Sequence, residues 1–520
     1  MRNALAMLVI AAASAGAQEK PPVDSWLTYN GDYSGRRFSP LKILNTENVQ
    51  NLSLAWTTRV INGAAGHGVR LSATPLMSDG VLYFSSLDNV WAIDARDGHE
   101  IWRYYRESKG DMPRTGNRGV GLYHGWLFFL TIDDYLVSLD AATGKQRWIV
   151  KVCDAKQYFI ASGAPVIVKN HVMIGSGGDS LGVSAFVEAH DPETGAVQWK
   201  WRTTPEKGQP GIETWPDEYA AANGGGHPWI SGTYDPELNL YYVGTGDPDP
   251  VYSGTSRKGA NLWTCSIVAL NPDTGKMAWY FQASPHDTHD WDAVQTPVLI
   301  DGEIDGQPRK LLAQANRNGY FFLLDRTNGK NLLSVPFLKT MNWSLGIDAK
   351  GQPIPNPAKE ATRDGVIVSP PTSGATNWPP PSFSPATGLF YVNTNEAYSM
   401  FYLTDDDPRP QGFAGREGGL AGGKSALLAI DYKTGKPAWT HDWRAAGGPS
   451  GILTTAGNLL FTGNGNYFIA FNSATGRILW HAGLTSGLSN GPITYLLDGK
   501  QFVIAGAGDA IFSFILNAAK

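Results

Sequence analysis

One eleven-residue phrase recurs through the chain and constrains its fold more than any other feature: "AIDARDGHEIW" ending at Trp102, "SLDAATGKQRW" at Trp148, "AHDPETGAVQW" at Trp199, "ALNPDTGKMAW" at Trp279, "AIDYKTGKPAW" at Trp439 and "AFNSATGRILW" at Trp480. A weaker copy, "LLDRTNGKNLL", carries Asp325. Each has Asp or Asn third, Gly seventh and an aromatic or apolar residue last. Physically this is strand, turn, strand: the Asp or Asn side chain caps a tight turn, and Gly supplies the position with φ > 0.

Length alone would divide 520 residues into about three domains, but a repeat overrides that expectation. Alternating apolar segments such as "GVLYFSS", "GWLFFLT", "LNLYYVG", "NLLFTG" and "QFVIAGAG" flank the repeats as further strands. The turn residues 94, 140, 191, 271, 325, 431 and 472 are spaced mostly by about 40 to 54 residues, enough for one four-stranded sheet each. The two longer steps leave room for insertions or a degenerate unit. With 60 Gly, 33 Pro and 17% charged residues, the pattern predicts an all-β fold of short strands, a β-propeller. Strands after Trp26 pair with the closing "AIFSFIL" to complete the ring.

Arg2, an apolar run from Ala4 to Ala13 and small residues ending Ala15-Gly16-Ala17 read as a secretory signal peptide over 1–17, with the propeller domain over 18–520. The alternative is a buried N-terminal helix. An exported, periplasmic protein is expected, and no stretch is apolar for long enough to form a transmembrane segment. The net charge of −5, with no basic stripe, argues against nucleic acid. Cys153 and Cys265 read as buried free thiols rather than a bridge. No C-x-x-C-H is present to attach haem.

The Trp-ended repeat resembles the tryptophan-docking motif of the eight-bladed quinoprotein alcohol dehydrogenases, which use pyrroloquinoline quinone (PQQ). Non-catalytic propeller scaffolds that resemble outer-membrane assembly lipoproteins carry related sheets, so a binding or assembly scaffold is the alternative, and the loops decide. The family's Gly-x-Gly-Asn-Pro segment supplies a metal ligand, and a Trp 18 residues earlier forms the floor under the quinone. "GTGDP" puts Asp247 at the ligand position and Trp229 at the floor. Ordinary core packing is the other reading of Trp229.

In "SPHDTHDWD" the resemblance makes Asp290 the catalytic base and Asp292 the extra carboxylate of the lanthanide-dependent branch. Alternation in an extended segment would point both to one side and Trp291 away. Two acids converging on Asp247 need a cation, and a hard metal favouring oxygen resolves this. A lanthanide is favoured, with Ca²⁺ the alternative. His286 and His289 are expected as hydrogen-bonding partners of that centre rather than ligands.

"QANRNGYFFLLD" implies that Arg317 is catalytic and contacts the quinone. By the same resemblance Arg118 in "GNRG", Ser162 in "SGAP", Asn395 in "VNTNEAY" and the backbone of Gly177 and Gly178 bind the cofactor. Three positions depart from the family pattern. Its vicinal cysteine pair falls at Met112-Pro113, its metal-binding Glu falls at Ser180 beside Asp179, and Ser72 replaces a quinone-contacting Glu. Asp179 is therefore a candidate fourth metal ligand. The resemblance implies oxidation of a primary alcohol, with electrons leaving to an external acceptor, a soluble cytochrome c. Insertions at 340–381 and 403–423 would set substrate size.

Overall fold

The computed structural model describes residues 23–60, 71–108, 117–153, 159–178, 182–420, 422–443, 450–488 and 490–517. The proposed signal peptide, Met112-Pro113, Asp179 and Ser180 lie outside these. Among the described residues, strands form eight sheets of four or five strands and two smaller sheets. In five of the four-stranded sheets consecutive strands run antiparallel in sequence order, as in Leu76–Ser78, Val81–Ser86, Asn89–Asp94 and Glu100–Tyr105. The inner strands of that sheet are buried almost throughout, while Glu100–Tyr105 at its edge is largely exposed or half-buried. Apolar runs therefore mark inner strands packed on both faces, and alternation survives only at the rim.

The repeat's Gly and Trp belong to neighbouring sheets. Trp102, Trp148, Trp199, Trp279 and Trp439 each donate the indole N–H to the carbonyl just after the turn Asp or Asn of the next repeat: Ala141, Pro192, Pro272, Arg326 and Ser473. Each indole also lies against the next repeat's glycine. A Cβ on Gly275 would sit 2.5 Å from the Trp199 ring, and one on Gly144 2.5 Å from that of Trp102. These glycines have φ of +68°, so their lack of a side chain serves both the turn and the contact. In the weak copy Val335 and Leu333 together take the indole's place against Gly435. Trp480 donates to Leu52 O.

Leu52–Arg59 pairs with the closing strand Ala510–Leu516, as expected of a ring closed between the two ends of the chain. On Leu52–Arg59, Trp56 packs on Gly98 of the sheet that begins at Leu76, supplying a docking contact that no repeat announces. The two long repeat steps prove to be insertions. The first places a loop and the short helix Glu218–Ala222 before Thr233–Asp235. The second adds the hairpin Ser344–Ile347 with Pro353–Pro355, and the sheet Val366–Val368, Ser399–Leu403 and Gly415–Gly419. Both thiols are free, Cys265 buried and Cys153 half-buried. No helix among the described residues is long and apolar enough to cross a membrane.

Candidate active site

The acidic loop 286–292 folds around Asp287. Its Oδ2 accepts the backbone N–H groups of His289 at 3.2 Å and Trp291 at 3.1 Å, and its carbonyl accepts from buried Arg257 at 2.6 Å. This curl puts Asp290 in the left-handed region, φ +64°, which Asp tolerates better than most residues. Trp291 is fully buried, donates to Pro371 O at 3.0 Å and stacks on His289 at 4.3 Å. Asp290 and Asp292 do converge, but through the left-handed residue rather than through simple alternation in an extended strand.

Two carboxylates of the loop meet Asp247, which follows the strand Leu240–Gly244: one oxygen each of Asp247, Asp290 and Asp292 lies within 4.8 Å of the others. Asp247 and Asp292 are buried, Asp290 half-buried. Asp292 ties the cluster together, its Oδ1 accepting Asp247 N–H at 2.7 Å and its Oδ2 accepting the Trp229 indole N–H at 2.9 Å. Arg317, just beyond the strand Gln307–Ala315, pairs with Asp292 and lies 3.2 Å from Asp290 Oδ1. Burial alone would weaken the arginine's hold on its proton, but Asp290, Asp292 and Asp247 outweigh it and raise its pKa. Three anions around one guanidinium leave a negative surplus, and oxygen donors so grouped suit a hard cation.

The imidazoles do not join this centre. His286 Nδ1 contacts Gly259 O at 2.8 Å, and His289 Nε2 contacts Lys359 O at 2.8 Å. Burial lowers both pKa values. Their work is to shape the loop, which corrects the expectation that they hydrogen-bond around a metal.

Beside the carboxylates, Arg118 lies over the Trp229 ring at 4.6 Å and donates to Ser162 Oγ at 2.6 Å. Asn395, on Leu389–Glu396, is one step removed: its N–H meets Ala375 O at 2.7 Å, and Ala375 N–H meets Arg317 O at 2.8 Å. Gly177 serves its neighbours. A Cβ there would lie 2.6 Å from Ala185 and 2.8 Å from His227, so the missing side chain makes room for an imidazole. Gly178 is buried alongside.

Sequence reasoning passed over His227, two residues before Trp229. It is buried, and neither ring nitrogen meets a hydrogen-bond partner among the described residues. Burial lowers its pKa to about 3, with Asp292 opposing and Arg118 adding to the shift. Both groups therefore bear on the ring, and only proximity to Trp229 could have signalled it. Also passed over were Thr372, whose carbonyl accepts from Arg317 Nη2 at 2.5 Å, and Gln295, whose Oε1 accepts Arg317 N–H at 3.2 Å.

A family model for PQQ, described as the glucose/ethanol/alcohol dehydrogenase β-propeller domain, matches residues 26–357 and 441–503. The quinoprotein alcohol dehydrogenase PedH of Pseudomonas putida is 37% identical over 97% of this chain and 91% of its own length. The solved quinohemoprotein alcohol dehydrogenase of Comamonas testosteroni superposes with a TM-score of 0.88 at 33% identity, over 97% of this chain and 82% of that one. A solved europium-containing methanol dehydrogenase gives a TM-score of 0.84 at 30% identity, over 95% of this chain and 98% of that one.

Proposed function

Because this chain belongs to the PQQ-dependent quinoprotein alcohol dehydrogenases, enzymes of alcohol oxidation that work with PQQ and a metal ion, we propose that it oxidises a primary alcohol to the aldehyde with Asp290 as base, using a lanthanide at Asp247, Asp290 and Asp292. The observation that carries this reading is the joining of three carboxylates to the Trp229 indole through Asp292. A scaffold without cofactor would have no use for so much converging charge, and burying it uncompensated is costly.

The residues present fit both groups. His227 presents a buried donor and a buried acceptor to no partner among the described residues, as expected of a side chain that completes its hydrogen bonds with a bound polar molecule. Arg118 with Ser162 suits a carboxylate, and Trp229 offers an aromatic face to a flat ring. For the metal, Asp179 is a further candidate by its place in the sequence.

When bound, PQQ would supply the acceptor for the hydride leaving the carbinol carbon, and the metal would supply Lewis acidity. Asp290, with its side chain 19% exposed, receives the alcohol's hydroxyl proton. Arg317, 3.2 Å from Asp290 Oδ1, orients that carboxylate and supplies fixed positive charge where negative charge grows. The Asp287 curl and buried Trp291 fix the base in place, because a left-handed Asp290 cannot relax without breaking them.

Against the surplus that Arg317 leaves uncompensated, a trivalent ion is matched once Asp179 joins as a fourth carboxylate, and it is the stronger Lewis acid. The europium-containing relative is consistent with that choice. In the proposal residues 1–17 direct export to the periplasm, and electrons pass to a soluble cytochrome c. Calorimetric titration of the PQQ-loaded protein with La³⁺ and Ca²⁺, for wild type and Asp292→Asn, tests the metal. Tighter La³⁺ binding, with the preference reduced in the variant, supports the reading. Equal or tighter Ca²⁺ binding by wild type overturns the lanthanide assignment, and no binding of either ion overturns the cluster as a metal site.

A further inference from the structure

We propose that Trp378 is the second wall of the cofactor slot, facing Trp229 across the plane in which Arg118 lies. The inference rests on the PQQ reading above. The Arg118 guanidinium carbon is 4.6 Å from the centre of the Trp229 ring and 5.3 Å from that of Trp378. A planar cation gripped at its edge by Ser162 and bordered by two indoles marks a layer suited to a flat aromatic anion. Such a ligand has faces to stack on the indoles and carboxylates to pair with the guanidinium.

The segment carrying Trp378 is fastened at both ends to parts that matter. At one end, a Cβ on Gly374 would lie 2.8 Å from Arg317 Cγ, and Ala375 N–H donates to Arg317 O at 2.8 Å. In the middle, Asn377 accepts the Trp378 N–H on its Oδ1 and donates through Nδ2 to Ser373 O, both at 2.8 Å. At the other end, Pro379, Pro380 and Pro381 stiffen the chain, and Pro380 O accepts Ile452 N–H at 2.9 Å from the next sheet. The indole is thus carried by a fastened loop that meets Arg317 at Gly374 and Ala375 and Arg118 at Trp378. Trp378 remains only half-buried, as a wall needs to be if its face is to meet a ligand.

The experiment is titration of PQQ into the purified full chain, followed by calorimetry and by quenching of tryptophan fluorescence, for wild type, Trp378→Ala and Trp378→Phe. Thermal melts without PQQ show whether each variant folds. The proposal expects affinity to fall about tenfold in Trp378→Ala and to recover to within about threefold of wild type in Trp378→Phe, which keeps an aromatic face. Wild-type affinity in a folded Trp378→Ala overturns the second wall alone. An equal loss in Trp378→Phe and Trp378→Ala also overturns it, because stacking is then not what Trp378 provides. Failure of wild type to bind PQQ overturns this proposal together with the functional reading beneath it.

Discussion

Replacing His227 by Leu should stabilise the cofactor-free protein while weakening its hold on PQQ. The imidazole is buried with both nitrogens unpartnered among the described residues, and it is neutral because burial lowers its pKa to about 3. An unsatisfied buried polar group costs about 1–3 kcal/mol. Leucine removes that cost and keeps most of the volume, with a shape mismatch below about 1.5 kcal/mol. The cofactor-free variant should therefore melt about 1–2 °C higher. Losing a hydrogen bond to a charged ligand should weaken PQQ by about 1.5–3 kcal/mol, or roughly ten- to a hundredfold. The assay pairs thermal melts with calorimetric titration of PQQ. Since the imidazole is already neutral far below neutrality, the outcome should be the same at about pH 6 and pH 8. A variant that melts lower and binds PQQ as tightly as wild type would show that His227 is ordinary packing and would refute the reasoning.

Trp279→Ala should cost about 3–5 kcal/mol in denaturant unfolding, because this indole is 8% exposed and contacts both Gly329 and Arg326 O of the next sheet. Trp199 is only half-buried, so its loss should cost less, and equal costs would argue against packing as the cause. Burial raises Asp134 to about 7. The folded state therefore keeps a proton that the unfolded chain releases near pH 4, and stability should fall as pH rises from about 4 to 7 and then level off. Across that window the loss is at most about 4 kcal/mol, and Asp134→Asn should flatten the dependence of melting temperature on pH.

The six strong repeats were enough to read an all-β ring of sheets, because Asp, Gly and Trp at fixed spacing encode local turn chemistry. That each Trp seats on the Gly of the following repeat could not be read, since the contact joins residues a whole repeat apart. Trp56 was hidden for the same reason: it docks on Gly98 from a strand with no repeat phrase around it. In the site, Asp247, Asp290, Asp292, Trp229 and Arg317 were found by motif, and the structure draws them together. The motif could not say that Asp287 winds the loop or that Asp290 sits at φ +64°, because backbone conformation there depends on Arg257 and on a fully buried Trp291. His227 and Trp378 carry no motif, and only burial and neighbours reveal them.

The central claim is tested most directly by alcohol-dependent dye reduction, comparing wild type and Asp290→Asn after loading each with PQQ and either La³⁺ or Ca²⁺. The account predicts turnover that requires both PQQ and metal, runs faster with La³⁺, and falls by at least about a hundredfold in Asp290→Asn while PQQ remains bound. Turnover without PQQ, or an Asp290→Asn variant as active as wild type, would contradict it.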